Sequence, residues 1–377
     1  MMSIHITEKR TEEQLSMHST LNLSELNNMI GRLFMAGIPG PEMDKASEAL
    51  IRDHALGGII LFARNIEDPV QLASLCNSLQ EVAIRYHGIP LFLAIDQEGG
   101  RVVRLQEPFT LFPGNSAIGN DARSVAKAVE FGRTTAKEMT LVGLNMNMAP
   151  VVDVRRGEPE RHLDGRIFSD DPQKVAMLGQ CVVKSLQENG VMAVAKHFPG
   201  LGRATLDPHH HLPTIGADIG EIETINLPPF KAAIEQGVSA VMTSHAIYPA
   251  LDPEYPGTLS HKILTKLLRE KLGFDGLIIT DDLEMGAIKK GWGVANSAVA
   301  AFEAGSDLLL ICEDQTQVIE GMKILRDHLL RKKIPLKRLH QSVRRVMAAK
   351  ARFLDKESGI SLERVKSYFR DRQGRVS

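Results

Sequence analysis

Short apolar runs recur along the chain at intervals too long for hairpins, and the stretches between them carry apolar residues at three- and four-residue steps. That alternation predicts parallel strands joined by helical crossovers. Eight runs read as strands: LFMAGI (33–38), GIILFA (58–63), LFLAID (91–96), NMAPVVDV (147–154), MAVAKHF (192–198), SAVMTSH (239–245), GLIITD (276–281) and SDLLLICE (306–313). Segments such as DPVQLASLCNSLQEVAIRYHG (68–88) and DPQKVAMLGQCVVKSLQENG (171–190) read as amphipathic helices, each with an Asp-Pro start and a closing glycine. Eight such units in one chain predict an α/β fold, a single TIM-like (β/α)8 barrel, with an open doubly wound sheet as the alternative. The expected organisation is a polar N-terminal extension over 1–22, the barrel over 23–354 with long loops after its fourth and fifth strands, and a charged, helix-compatible tail over 355–377.

Composition narrows the function classes without naming one. A chain of 377 residues that is 43% hydrophobic and 24% charged is long enough for one large domain with a substantial core. A formal net charge of −1 offers no overall field for nucleic acid or an anionic membrane. The opening MMSIHITEKRTEEQLS lacks the apolar run of a signal peptide or anchor. Cys76, Cys181 and Cys312 are widely spaced and odd in number, which fits incidental thiols in a reducing compartment better than a disulfide framework or a zinc knuckle. The expectation is a cytoplasmic protein with no nucleic-acid or membrane partner.

In a barrel the chemistry belongs at the C-terminal ends of the strands. There the third strand runs into DQEGGRVVR (Asp96 to Arg104), the fifth ends in Lys196-His197, the sixth in Ser244-His245, and the seventh in Thr280-Asp281-Asp282. Such groups are expensive to bury unpaired, so their clustering at one rim reads as a site. The stretch KHFPGLGRATLDPHHHLP (196–213) is the densest in candidate groups. Its three consecutive histidines point in different directions in an extended segment and do not suit one metal, and neither HExxH nor a strand-one HxH pair is present. No phosphate loop occurs, and GLGRAT (200–205) lacks the third glycine of a dinucleotide fingerprint. No metal and no cofactor is expected. A Schiff base at Lys196 needs a depressed pKa, whereas neighbouring aspartates would hold that lysine charged.

Three motifs in order, DQEGGRVVRL, KHFPG followed by a D-x-H pair, and ITDDLEM, resemble those of the glycoside hydrolase family 3 β-N-acetylglucosaminidases of the peptidoglycan-recycling type. The likeness runs from LFARN (61–65) to about AGSDLLL (304–310). By motif, the resemblance implies Asp281 as catalytic nucleophile and an acid/base histidine, His209, held by Asp207. It further implies Asp96, Arg104, Lys196, His197 and the arginine of GRIFSDDP, Arg166, as holders of the nonreducing-end sugar. Leu201, Pro208 and Ile167 depart from the family's usual KHFPGHG, D-S-H and small residue after the arginine.

Physical chemistry accommodates these roles. A retaining glycosidase needs a carboxylate beneath the anomeric carbon and a proton donor for the departing oxygen, and histidine, with an unperturbed pKa of about 6.5, can give and take that proton near neutrality. Gly200 and Gly202 would let the loop close over a sugar. Bland roles stand beside the functional ones: Asp282 as a helix cap, His210 and His211 as solvated side chains, Arg104 as a rim ion pair, Glu98 as loop support and the NMNMAP run as core. The reading expected is an exo-acting β-N-acetylhexosaminidase that removes terminal GlcNAc from muropeptide fragments, its partner being this small carbohydrate. The alternatives are a β-glucosidase, a β-xylosidase or a glycoside phosphorylase of the same superfamily, a lyase at Lys196, and a non-catalytic sugar-binding barrel.

Overall fold

The computed structural model describes residues 22–158, 161–354 and 359–373. All but the last residue of the expected N-terminal extension lie outside the described residues, as do 355–358 and 374–377 of the expected tail. The strands in chain order are β1 (Phe34–Ala36), β2 (Gly58–Leu61), β3 (Phe92–Ile95), β4 (Met146–Asn147), β5 (Met192–Phe198), β6 (Ala240–Thr243), β7 (Ile247–Tyr248), β8 (Asp252–Pro256), β9 (Leu277–Ile279) and β10 (Leu309–Ile311). Eight of them form one parallel sheet in the order β10-β1-β2-β3-β4-β5-β6-β9. The seam between β9 and β10 is drawn together where Leu308 N–H donates to Ile278 O at 3.1 Å and Thr280 N–H to Leu308 O at 3.0 Å. The result is a (β/α)8 barrel, and seven of its eight strands lie within the apolar runs that predicted them.

Two features differ from the sequence expectation. The fourth strand is only two residues long, because Pro150 has no N–H to give a ladder; Val151 then rejoins the sheet through a single bridge to Lys196. The pair β7–β8 is an antiparallel hairpin inserted after β6, an element absent from the eight strands read in the sequence. Its strands are short and the second carries two prolines, so they leave no period-two pattern.

The barrel packs as its pattern requires. Every described strand residue of β1 to β6, β9 and β10 is buried, and Met146 and Met148 of the NMNMAP run lie in the core. Both Asp-Pro helices start as read: Asp68 caps Pro69–His87 and Asp171 caps Pro172–Glu188, with Gly88 closing the first in the left-handed region at φ 62°. At the C-terminus, helix Leu362–Gln373 lays Val365 and Phe369 into the core, with the Phe369 ring 4.7 Å from that of Phe109. Asp68 Oδ1 accepts from Val70 N at 2.7 Å and Gln71 N at 2.9 Å. Asp68→Ala is therefore expected to cost about 1 kcal/mol and to lower Tm by roughly 1 to 3 °C in a thermal melt, with catalysis unchanged.

Candidate active site

The C-terminal rim gathers the residues singled out by their positions. Asp96 follows β3, Lys196 and His197 lie near the end of β5, and Asp281 comes two residues after β9. They line one cavity of about 120 Å³ together with Glu98, Arg104, His162, Arg166, Leu201, Pro208 and His209. Asp207 stands behind His209 rather than on the cavity wall. Larger hollows of about 590 and 500 Å³ open at the other end of the strands, beside Pro90 and Asn145 and beside Ser239 and Gly276. That end of a barrel serves stability, so the smaller, charged cavity is the candidate.

Local structure explains why these side chains converge. The DQEGGRVVR loop folds back on itself through Gln97, whose Oε1 accepts from Arg104 N at 2.9 Å and Leu105 N at 3.0 Å. Gly99 and Gly100 make the reversal at φ 88° and 61°, and a Cβ on either would meet the backbone of residues 112–114 at 3.1 to 3.3 Å. On β5 the pairing with β6 slips between Ala195 and Phe198, which re-aims Lys196 and His197 into the cavity. A turn over Arg161–Leu163 delivers Arg166, whose carbonyl is held by Asn115 Nδ2 at 2.8 Å.

The charges form a closed network. Lys196 Nζ lies 2.7 Å from both Asp96 Oδ1 and Glu98 Oε1. Arg166 grips Glu98 with two bonds of 2.8 Å, Nε to Oε2 and Nη2 to Oε1. Arg104 Nη2 sits 3.7 Å from Asp96 Oδ2. Burial alone would raise the Glu98 pKa, but the charges and hydrogen bonds of Arg166 and Lys196 hold it well below the usual carboxylate range. Burial would likewise lower Lys196, yet Asp96 and Glu98 raise it above the ordinary lysine value. A lysine held as ammonium is a poor imine-forming amine, which counts against the lyase alternative. Glu98 is the anchor of both cations and lines the cavity, where loop support was expected of it.

His197 is fixed by a residue the sequence reading passed over. Asp153 Oδ2 lies 2.7 Å from His197 Nδ1, while its Oδ1 accepts from His197 N at 3.3 Å and Leu201 N at 2.6 Å. This buried carboxylate ties the end of β5 to the loop that follows, and it leaves Nε2 of His197 for a bound molecule. An ionisable residue inside an apolar run was the available signal. His245, noted at the end of the sixth strand without a role, is buried; Nδ1 lies 2.6 Å from Thr258 Oγ1, and Nε2 lies 2.9 Å from the Asp282 carbonyl. Burial lowers its pKa, so it is a neutral ring, with Nε2–H donating to Asp282 O and holding the turn that carries Asp281.

Asp281 and Asp282 are adjacent yet electrostatically opposite. Asp281 is held below the ordinary aspartate pKa: burial opposes ionisation, but the neighbouring His245 and His197 rings, the Lys196 ammonium and the Asp282 N–H, which donates to Oδ1 at 2.8 Å, prevail. Asp282 is pushed up to about 7, chiefly by burial, with the Glu284 and Asp281 charges adding to it. It accepts from Glu284 N at 3.1 Å and Cys312 N at 3.3 Å and so braces the turn; the helix cap expected of it is not made, since helix Gly286–Trp292 starts after Met285 with no side-chain cap.

On the loop, Asp207 Oδ1 lies 2.6 Å from His209 Nδ1 and also accepts from His209 N at 2.9 Å. The His209 side chain is 57% exposed, and its ring stands 6.5 Å from that of His162 on the cavity wall. His210 and His211 are exposed and do not line the cavity. Leu201, Pro208 and Ile167 are all buried, the first two against the cavity. An ionised carboxylate on a rigid strand end, a mutually fixed Asp-His pair and a ring of charged hydrogen-bonding groups can bind a polyol, attack it and move a proton.

Comparison with known proteins places the chain in a family. Residues 14–349 match the glycosyl hydrolase family 3 N-terminal domain. The chain is 36% identical over 283 residues to a beta-hexosaminidase of Thiobacillus denitrificans, covering 74% of this chain and 77% of that protein. A beta-hexosaminidase of Pseudomonas aeruginosa is 36% identical over 281 residues, 74% of this chain and 82% of its own. A family 3 beta-N-acetylglucosaminidase from Paenibacillus sp. str. FPU-7 superposes with a TM-score of 0.85 at 36% identity, over 92% of this chain and 68% of that one. NagZ from Neisseria gonorrhoeae superposes with a TM-score of 0.74 at 29% identity, over 91% of this chain and 96% of its own. Since the match takes in every barrel strand and every residue of the charged rim, the chain belongs to glycosyl hydrolase family 3.

Proposed function

We propose that this protein is a retaining, exo-acting β-N-acetylhexosaminidase that releases terminal GlcNAc from muropeptide fragments in the cytoplasm. One observation carries the reaction type: an ionised, half-buried Asp281 and the Asp207–His209 pair meet at the same small cavity that holds the Asp96–Lys196–Glu98–Arg166 network. Relatives named beta-hexosaminidase support the sugar. In the first step Asp281 attacks the anomeric carbon, the bond to the leaving oxygen breaks, and His209 gives that oxygen its proton. In the second, water attacks the same carbon as His209 takes its proton, and Asp281 departs as carboxylate. Asp96, Lys196, His197, Arg166 and Arg104 would hold the sugar's hydroxyls.

A panel of aryl glycosides tests the reading. Hydrolysis of an aryl β-N-acetylglucosaminide is expected to exceed that of the matching β-glucoside by at least about 100-fold in kcat/KM, with the β-anomer of GlcNAc as first product by NMR. Preference for the glucoside or xyloside, or release of the α-anomer, would sink it. A sugar 1-phosphate formed in phosphate buffer would show phosphate replacing water.

A further inference from the structure

We infer that Gly286 is the landing point of the loop that carries Asp207 and His209, and so a positioning residue for proton transfer; this rests on the acid/base reading of His209. Upstream the loop is anchored by Leu201 N on Asp153, and downstream by paired backbone bonds between residues 213–215 and Ile247 at 2.8 and 2.9 Å. Between those anchors, the hydrogen bonds that residues 205–212 make to the rest of the molecule, among the described residues, all end on the short helix Gly286–Trp292. Gly286 N–H donates to His209 O at 2.9 Å, Ala287 N–H to Pro208 O at 3.1 Å, and Lys290 Nζ to His210 O at 2.8 Å.

The approach is so close that only glycine permits it. A Cβ built on Gly286 would stand 2.8 Å from His209 O, 2.9 Å from His210 O and 3.1 Å from His210 C. Those are backbone atoms of His209, which faces the cavity, and of its neighbour His210, and they cannot swing aside as a side chain would. Gly286 itself is outside the left-handed region, so its backbone accepts alanine without strain. Alanine is also the better helix former. What the glycine secures is therefore contact with the loop rather than the shape of its own helix. It follows Asp281 by five positions, so one turn aims the carboxylate and seats the histidine.

The test is Gly286→Ala in the full chain, read as kcat/KM on two β-N-acetylglucosaminides. The phenyl glycoside needs its leaving oxygen protonated; the dinitrophenyl glycoside does not. Displacing His209 is expected to lower the phenyl value by about 10- to 100-fold, to leave the dinitrophenyl value within about threefold, and to leave Tm unchanged or raised. Equal losses on both substrates, no loss on either, or failure to fold would overturn the inference. Lys290→Met, which removes one tie without inserting an atom, should lower only the phenyl value, by roughly threefold. His209→Ala separates the two levels of argument. If it does not discriminate between the leaving groups, the acid/base reading fails. If it does and Gly286→Ala does not, only the landing-point inference fails.

Discussion

Replacing Asp281 with alanine is expected to lower kcat/KM for an aryl β-N-acetylglucosaminide by on the order of 10⁴-fold or more, about 5.5 kcal/mol of transition-state stabilisation. The loss should be the same for good and poor leaving groups, since the nucleophile serves both. No neighbouring group can take over. Asp96 is engaged by Lys196 and Arg104, and Glu98 by Lys196 and Arg166. Asp282 is turned into its own loop and pushed up to about 7, chiefly by burial. Asp281 is ionised and on the cavity wall, with no ion pair to another described residue. Its lowered pKa has a sign that can be checked: ionisation favours activity, so protonation of Asp281 inhibits only below the ordinary aspartate range near 3.9. An acidic limb of kcat/KM seen between about pH 5 and 7 would thus report another group. Activity of Asp281→Ala near that of the unmodified protein would remove Asp281 from the nucleophile's role.

The contrast between Asp281 and Asp282 also shows where sequence reading stops. The barrel was legible because each β/α unit writes its own local pattern: eight apolar runs, Asp68-Pro69 and Asp171-Pro172 at helix starts, and a glycine after each of those helices. The rim residues were legible because charged groups at the ends of buried strands stand out. Their partnerships were not. Asp153 finds His197 across 44 positions, Arg166 finds Glu98 across 68, and Lys196 finds Asp96 across 100. No local period encodes such pairs, since they arise only when the sheet curls into a closed barrel. For the same reason Asp307 read only as the start of a strand. In the fold it is fully buried, bridges Arg269, Arg338 and Arg345, and accepts from Ile278 N at 3.1 Å on the last seam of the sheet. The seating of the 205–212 loop belongs to this class too, because Gly286 N–H reaches His209 O and Ala287 N–H reaches Pro208 O from far along the chain.

His209→Ala is the second substitution expected to act strongly, by about 10²- to 10⁴-fold on kcat/KM for a phenyl β-N-acetylglucosaminide and far less for the dinitrophenyl analogue. The geometry gives the ring one free nitrogen: Nδ1 is bound to Asp207 at 2.6 Å, which leaves Nε2 for the leaving oxygen. Burial would raise the Asp207 pKa, but the backbone and ring hydrogen bonds from His209 bring it below the ordinary value. The carboxylate is thus ionised across the neutral range, fixes the ring's orientation and favours a proton on Nδ1. Asp207→Asn keeps the shape and removes the charge. The imidazolium then loses its negative neighbour, so the alkaline limb of kcat/KM for the phenyl substrate should move to lower pH. Because the same carboxylate accepts the His209 N–H at 2.9 Å, Asp207→Ala should cost more than Asp207→Asn at every pH. Equal rates for both variants, or a pH profile that does not move, would assign proton transfer to some group other than this pair.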